Sequence, residues 1–380
     1  MIYSAYRRKG RRKVRFGSCL YKKIEQRSGG GYSQSLSYFS LLLTLVSKPL
    51  FILRVIVSFY YFDSSYRFIH FYHVTDYSIM LRTTLLATAV LSRFASAHTA
   101  AWAKGMYCRN GISEHEETNT NLAVNPLYNL PKEDWWFQHD RGCDRAPPPA
   151  GEFLELPANG NFTVELAGNR GVTTLSYDGK HATDWPDGEQ HPEHWDAWEG
   201  EGSPCNTYIG SLHTYNETNA AGTAWAISYE SELEKVTMEN LVVFSVLEHT
   251  PWKRMATYQV PNLPKCPEGG CTCAWLWVPD NCGQSNLYMQ PYKCNVTQAS
   301  SNIPVAKAQP PVYCADDKSK CVKGAKQMIA YYQDSGNNMF DIKRPATPGY
   351  NEKCGWTSGP QRDIFESDSN GNQSRSGEVV

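Results

Sequence analysis

Two apolar stretches late in the chain decide the fold: CAWLWV at Cys273–Val278 and, beyond residues 279–286, LYMQPYKCNV at Leu287–Val296. Aromatic and β-branched residues of this kind favour strands, and the gap between the stretches contains the Pro, Asp, Asn and Gly typical of turns. Trp275 and Trp277 stand two residues apart, so they share one face of their strand. We expect both to pack in a core.

Six more short apolar runs of the same kind precede them, and their separators are again rich in Gly, Pro, Asn and Asp: Phe153–Leu156, Phe162–Leu166, Val172–Tyr177, Thr223–Tyr229, Leu241–Leu247 and Met255–Val260. Eight short strands with turn residues between them predict an all-β fold, an immunoglobulin-like antiparallel β-sandwich with long loops and few short helices. Val322–Gln333 is predicted to be helical, and Gly179–Pro204 to be a long surface loop.

Charge divides the chain near residue 97. Residues 1–97 carry 15 Lys and Arg but only 3 Asp and Glu. The whole chain has a net charge of −1, so residues 98–380 hold 22 basic and 35 acidic side chains. An acidic body argues against nucleic acid as a partner, because phosphate binding needs clustered cations. All eleven Trp and eleven of the twelve Cys lie in the acidic part.

Residues 80–97 have the three parts of a secretory signal peptide: Met-Leu-Arg, an uncharged run from Thr83 to Leu91, and Ala-Ser-Ala at the end. Cleavage after Ala97 would make His98 the first residue of a secreted, extracellular protein. We interpret 1–79 as an over-extended gene model, 98–362 as the single domain and 363–380 as a flexible polar tail. A buried helix at 80–97 and a signal-anchor at 1–79 are the alternatives.

Cysteines and glycosylation sequons support a secretory route. Four Asn-x-Ser/Thr sequons lie after residue 97, at Asn161, Asn216, Asn295 and Asn372. Eleven Cys in the same part allow five disulfides with one thiol left over, for which Cys354 is our candidate. A zinc site at Cys266, Cys271, Cys273 and Cys282 is a less favoured alternative, because no Cys-x2-Cys pair occurs in the chain.

An amino-terminal histidine offers a metal two nitrogen ligands, its α-amine and its ring Nδ1. A second imidazole would complete a T-shaped site of three nitrogens, which suits tetragonal Cu(II). His98 is the candidate for the first histidine. The second must be one of the seven others in the body: His115, His139, His181, His191, His194, His213 and His249.

Three long motifs occur in order: HTAAWAKGMYC at 98–108, WWFQHDRGC at 135–143 and NLYMQPYKCNV at 286–296. Together they resemble fungal copper-dependent lytic polysaccharide monooxygenases, most closely the xylan-active auxiliary activity family fourteen, over nearly all of 98–360. This resemblance implies that His98 and a second histidine bind copper. His213 matches the second ligand best in its local context, with His191, His194 and His249 as alternatives.

The resemblance further implies an axial tyrosine on the last core strand. Tyr288 fits this position and makes up the site with His98 and His213. Tyr292 is the competitor, because alternation would put it on the same face as Tyr288. Asn286 stands where related cellulose-active families often have Gln, which puts the hydrogen bond that this Gln makes to bound oxygen in doubt.

The aromatic residues of the acidic loop, Trp185, Trp195 and Trp198, are candidates for stacking on sugar rings. The carboxylates around them suggest a two-carboxylate glycosidase only superficially, because a run of acids in a loop is more often a solvated surface.

As a monomeric member of this family, the protein would cleave glycosidic bonds oxidatively in xylan associated with cellulose. It would use copper, O2 or H2O2, and an external small-molecule or protein electron donor. A non-catalytic copper-binding protein of the same fold, handling copper at the cell surface, is the alternative. Such relatives tend to carry an axial Asp, so Tyr288 favours the enzyme. A sugar-binding module without metal is a third reading.

Overall fold

The computed structural model describes residues 98–113, 115–193, 212–214, 216–280, 285–340, 342–343 and 345–367, and three strands before them. Its two compact units are Met1–Phe94 and Ala95–Val380. In the first, β1 (Tyr38–Thr44), β2 (Arg54–Phe62) and β3 (Phe68–Asp76) form an antiparallel sheet in that order. The predicted signal peptide at 80–97 lies outside the described residues. Among those that are described, no helix has the length and apolarity needed to cross a bilayer.

The second unit is built from two sheets, and the predicted all-β sandwich is confirmed. Its strands are β4 (Ala100–Trp102), β5 (Leu154–Pro157), β6 (Asn161–Ala167), β7 (Thr223–Ser228), β8 (Val242–Leu247), β9 (Met255–Gln259), β10 (Cys271–Trp277), β11 (Tyr288–Thr297) and β12 (Gly359–Pro360). One sheet has the order β12-β8-β7-β10-β11-β5 and the other β4-β6-β9. All pairings in them are antiparallel except that of β5 with β11.

Aromatic rings from both sheets meet in the space between them. Phe162 of β6 lies 5.2 Å from the Trp225 ring of β7 and 5.6 Å from the Tyr258 ring of β9, measured between centroids. The Tyr258 hydroxyl bonds the Thr223 hydroxyl at 2.6 Å and accepts from Trp275 Nε1 at 3.2 Å. The polar side-chain atoms of Tyr258, Thr223 and Trp275 are therefore satisfied within the core.

A second apolar layer covers the other face of the six-stranded sheet. Ala224, Ala226, Leu276 and Met289 point into it, while Trp225 and Ile227 point into the first core. It is closed by the short helical turns that contain Trp135 and Phe137 and by the irregular segment Met328–Ala330. The central strands are thus buried on both faces, which explains why Cys271–Trp277 reads as a continuous apolar run.

Helices are short. Among the described residues there is one α-helix, α1 (Lys132–Trp135). The 3-10 turns there are Leu122–Val124, Trp136–Arg141, Cys143–Arg145, Arg170–Val172, Tyr177–Gly179, Glu217–Asn219, Leu233–Lys235, Lys318–Lys320 and Glu352–Cys354.

Two predicted elements are wrong. Val172–Tyr177 is not a strand, because local side chains capture the backbone: Asn169 Oδ1 accepts from the Gly171 amide and Thr173 donates to the Arg170 carbonyl. Val322–Gln333 is not a helix. Its amides bond distant partners instead, as when Gln327 donates to the Gln309 carbonyl at 2.9 Å.

In the part of the chain that the structure describes, four disulfides join Cys108 to Cys143, Cys266 to Cys271, Cys273 to Cys294, and Cys314 to Cys321. Three of the cysteines in the alternative zinc site are consumed by these bonds, so that alternative is wrong. Cys354 is a buried free thiol, as expected, and burial raises its pKa to about 11. Cys205 and Cys282 lie outside the described residues.

The buried Tyr258 hydroxyl generates a stability prediction. Tyr258→Phe leaves the Trp275 N–H without its acceptor, so the free energy of unfolding should fall by about 1–3 kcal/mol. Chemical denaturation measures this loss. Tyr128→Phe, at a tyrosine that is 39% exposed, is the matched control and should change stability by less than about 0.5 kcal/mol. Equal stability of Tyr258→Phe and the wild type would contradict the network.

Candidate metal centre

Pairing across the six-stranded sheet places four residues in one row at one of its ends. Tyr288 of β11 lies opposite Trp277 of β10, Trp277 opposite Thr223 of β7, and Thr223 opposite Leu247 of β8. The Tyr288 and Trp277 rings stack with centroids 4.5 Å apart. Both are buried, at 2% and 0% exposure. The two rings form a buried, stacked aromatic pair at this end of the sheet.

His98 stands two residues before β4 at the same end. Strand β4 pairs with β6, and Trp102 donates from Nε1 to the Ala167 carbonyl at 2.9 Å. Thr99 is fully buried, whereas His98 is half-buried. The strand therefore fixes the backbone next to His98 and leaves its side chain at the surface. Its ring centroid lies 6.4 Å from that of Tyr288.

His213 approaches from the segment that precedes β7. Its backbone is left-handed, with φ at +55°, and its ring meets Trp277 edge-on at 5.6 Å. The residue is 7% exposed. Its centroid lies 6.5 Å from that of His98, with the planes inclined by only 23°. Of the histidines in the described part of the chain, His213 is the one whose ring contacts that of His98.

This spacing fits one metal ion between the two rings. Metal–nitrogen bonds of about 2.0–2.1 Å on opposite sides of an ion would put two imidazole centroids about 6 Å apart. Burial, and then the electrostatic effects of His213 and Arg141, lower the His98 pKa to about 4. The ring is therefore neutral at pH 7 and has a lone pair for a metal.

Side chains alone do not complete a metal site. Within the described residues, no three His, Cys, Asp or Glu side chains converge on a point that would hold an ion. The third nitrogen of the arrangement would have to be the α-amine of His98.

Tyr288 lies beside His98, with ring centroids 6.4 Å apart. Its Oη is buried and has no hydrogen-bond partner among the residues that the structure describes. Burial raises the Tyr288 pKa well above its ordinary value, and Arg141 offsets only a smaller part. The phenol is therefore neutral at physiological pH. A neutral oxygen on a fixed ring suits the weak axial position of Cu(II).

Tyr292 lies on the same strand face but has a different partner. Its hydroxyl donates to the Ala101 carbonyl, and its ring packs 4.6 Å from that of Trp225 inside the core. Asn286 is also buried, and its Oδ1 is without a partner among the described residues. Gln290, between the two tyrosines on the same face, donates to the Tyr107 carbonyl at 2.9 Å.

Three of the other candidate histidines have hydrogen-bond partners of their own. His249 bonds the Thr218 carbonyl through Nδ1, His191 bonds Asp187 through Nε2, and His139 bonds Asp144 through Nδ1. His181 lies edge-on to the Tyr177 ring. His194 lies outside the described residues.

Of the three tryptophans of the acidic loop, the structure describes only Trp185. Trp185 is 2% exposed and packs edge-on to Trp252 at 5.8 Å, so it is not available for stacking on sugar, and that prediction is wrong for this residue. Trp195 and Trp198 lie outside the described residues. Trp275 and Trp277 are completely buried, which confirms the core packing expected for them.

Arg141 is a residue that sequence reasoning missed. Its guanidinium donates to the Asn125 and Pro126 carbonyls and pairs with Asp140 at 2.8 Å. Arg141 also perturbs both His98 and Tyr288 electrostatically. The only sequence signal is its place within the motif at 135–143, because no periodicity brings it to the site.

Comparisons with known proteins agree on one family. The family model for lytic polysaccharide monooxygenase AA14 matches residues 80–376. A Talaromyces rugulosus protein named AA14 family lytic polysaccharide monooxygenase B is 38% identical over 278 residues, 72% of this chain and 94% of that protein. Its namesake from Pycnoporus cinnabarinus is 35% identical over 298 residues, 75% of each chain. A third protein of this name, from Trametes coccinea (strain BRFM310), is 34% identical over 298 residues, 75% of this chain and 67% of that protein.

The ring pair predicts the effect of removing His213. His213→Ala should leave the fold intact and weaken Cu(II) binding by more than about a hundredfold. Mutation of a residue that only hydrogen-bonds to a metal ligand already lowers metal affinity about 10–100-fold, and loss of a ligand itself should cost more. Calorimetric titration measures the affinity, and His249→Ala is the control. Wild-type affinity in His213→Ala, with a loss in the His249 or His194 variant, would refute this assignment.

The two tyrosines can be separated spectroscopically. Tyr288→Phe should still bind copper through nitrogen but change the Cu(II) EPR parameters, because the axial oxygen is removed. Tyr292→Phe should leave the spectrum unchanged, because its hydroxyl bonds the Ala101 carbonyl. The reverse result would transfer the axial role to Tyr292.

Proposed function

The chain belongs to the AA14 family of lytic polysaccharide monooxygenases, and we propose that it is a secreted enzyme that cleaves glycosidic bonds oxidatively in xylan associated with cellulose. The family is one of copper-dependent oxidoreductases that act on polysaccharides with an external reductant. The single observation that carries the proposal for this chain is the pair of imidazoles, His98 and His213, placed above the buried phenol of Tyr288.

We assign copper binding to the α-amine and ring of His98 and to the ring of His213. Copper supplies one-electron redox chemistry toward O2 or H2O2. The protein fixes the two rings from separate directions: β4 holds His98, and contact with Trp277 orients His213. His98 is only half-buried, so part of this residue lies at the protein surface.

In this proposal Tyr288 would supply a weakly bound oxygen to the metal beside the two imidazoles. Its ring is fixed by stacking on Trp277, so the phenol would need no rearrangement to do so. Burial keeps the phenol protonated, and a neutral ligand leaves the ion with more positive charge than a phenolate would. Tyr288 would therefore influence the redox properties of the metal without binding it as a strong ligand.

Xylan on cellulose is proposed as the substrate from the resemblance of the three motifs to the xylan-active branch. Secretion is supported by the signal-peptide pattern at 80–97, by the four disulfides of the described residues, and by sequons at Asn161, Asn216 and Asn295. These three asparagines are all at least partly exposed, and oxidised cysteines with accessible sequons are typical of the secretory route. Asn372 lies outside the described residues.

Processing is the step on which this function depends. An amide nitrogen has its lone pair delocalised into the peptide bond, so only a free α-amine at His98 can bind the metal. Expression from Met80 in a secreting host should yield a chain that begins at His98, binds one copper and releases oxidised oligosaccharides from xylan-coated cellulose with ascorbate. Amino-terminal sequencing, copper stoichiometry and product mass spectrometry measure the three outcomes.

A chain that retains one extra residue before His98 is the matched control. It should fold but bind copper far more weakly and release no oxidised sugar. A mature chain that starts elsewhere and is still copper-loaded and active would refute the proposal. Copper binding without oxidised products would favour the copper-handling alternative.

A further inference from the structure

An open cleft of about 650 Å³ lies beyond the end of β8, and the metal centre does not use it. Its walls come from residues 218–221, 248–249, 280, 351–353 and 356–358. Cavities of this size hold small-molecule ligands or a few units of a polymer. The lining is mostly polar, with hydroxyl, amide, carboxylate, imidazole and ammonium groups.

The walls of the cleft are tied to one another. Asn351 donates from Nδ2 to the Ala221 carbonyl at 3.0 Å, and Lys353 Nζ bonds Asp280 at 2.6 Å. His249 Nδ1 lies 3.1 Å from the Thr218 carbonyl oxygen. Each bond joins two different wall segments. The cleft is therefore preformed, and a ligand would not have to order it.

Sheet pairing places the cleft at the same end of the molecule as the metal centre. Leu247, which precedes Glu248, lies in the row with Thr223, Trp277 and Tyr288. Strands about 4.8 Å apart put Leu247 about 14 Å from Tyr288. Asp280 follows Trp277 by three residues, so their Cα atoms are at most about 11 Å apart. One polysaccharide chain can span these distances.

We propose that this cleft is a substrate subsite for neutral sugar units of the same polysaccharide chain whose glycosidic bond lies at the His98–His213 pair. The proposal rests on the function proposed above. Hydroxyl groups of a sugar both donate and accept, and they match a wall that contains Ser358, His249 and Glu248. The polar lining thus selects for a hydrated polymer and against an apolar ligand.

The negative charge of the cleft lining favours a neutral sugar over an acidic one. Glu248, Asp280 and Glu352 contribute three carboxylates to the lining, against the single ammonium group of Lys353. The nearby Lys318 Nζ lies 3.4 Å from Glu352 but pairs with it at the exposed surface. A branch that ends in a uronic acid would bring a further negative charge to this wall. The cleft therefore discriminates against acidic branches.

Affinity in the cleft must come from hydrogen bonds. Trp356 lines it but is only 1% exposed, so its ring face does not support a sugar by stacking. Hydrogen bonds exchanged with water give small net gains. We expect a dissociation constant on the order of millimolar for a short oligosaccharide.

The test uses copper-loaded, correctly processed protein without reductant, and xylohexaose as the probe. Thr357→Trp places a bulky side chain on the exposed wall at 357. Ala299→Trp is the control: residue 299 is exposed and follows the far end of β11. Calorimetry should show xylohexaose binding at least about tenfold weaker in Thr357→Trp, the loss expected for a few hydrogen bonds, and unchanged in Ala299→Trp. Copper EPR spectra should be identical in both.

A second measurement needs no variant. In the wild type, xylohexaose should shift the NMR signals of the exposed His249 ring, and an oligosaccharide with a uronic acid branch should bind more weakly. Unchanged binding in Thr357→Trp, a silent His249 ring, or tighter binding of the acidic sugar would overturn the subsite. Oxidised products from a wild type that fails these tests would leave the proposed function standing. Sugar binding in the cleft without oxidised products would refute that function alone.

Discussion

The register of β10 against β11 is the constraint on which the site depends. Because Trp277 faces Tyr288 across this pair, their rings stack at 4.5 Å. Trp277 then meets the His213 ring edge-on, and the Tyr288 ring lies 6.4 Å from that of His98. A slip of one residue would turn every side chain of β11 to the opposite face. Tyr288 would move into the second apolar layer, and Met289 would take its place beneath His98. The Cys273–Cys294 disulfide joins the same two strands and opposes such a slip.

Burial on both faces of the six-stranded sheet supports this register. Alternate residues of β7 enter opposite apolar layers, so neither orientation of the strand can exchange with the other without exposing a large apolar area. The short helical turns around Trp135 and Phe137 cover the second apolar layer. Strands β6 and β9 cover the first core, on the other face of the sheet. The functional end of the sheet is therefore positioned by the whole domain rather than by its loops.

Periodicity and turn residues predicted eight strands, of which seven are present, because burial of a sheet leaves a direct trace in the sequence. The short strands β4 and β12 were not predicted. The failures have a different origin. At Val172–Tyr177 side chains of Asn169 and Thr173 bond the local backbone, and at Val322–Gln333 the partners lie far away in the chain. Alternation likewise could not separate Tyr288 from Tyr292, since both occupy one face. What distinguishes them is the Ala101 carbonyl next to Tyr292, a contact between distant segments.

His213 is positioned differently from the other parts of the centre. A left-handed backbone at a non-glycine residue costs about 1–2 kcal/mol, and the edge-on contact with Trp277 returns about 0.5–1.5 kcal/mol. By contrast, His98 is anchored by a strand and Tyr288 by a stacked ring. A metal–nitrogen bond to an ion between the two rings would add to the interactions of His213. Metal binding would then stabilise the left-handed backbone conformation at residue 213.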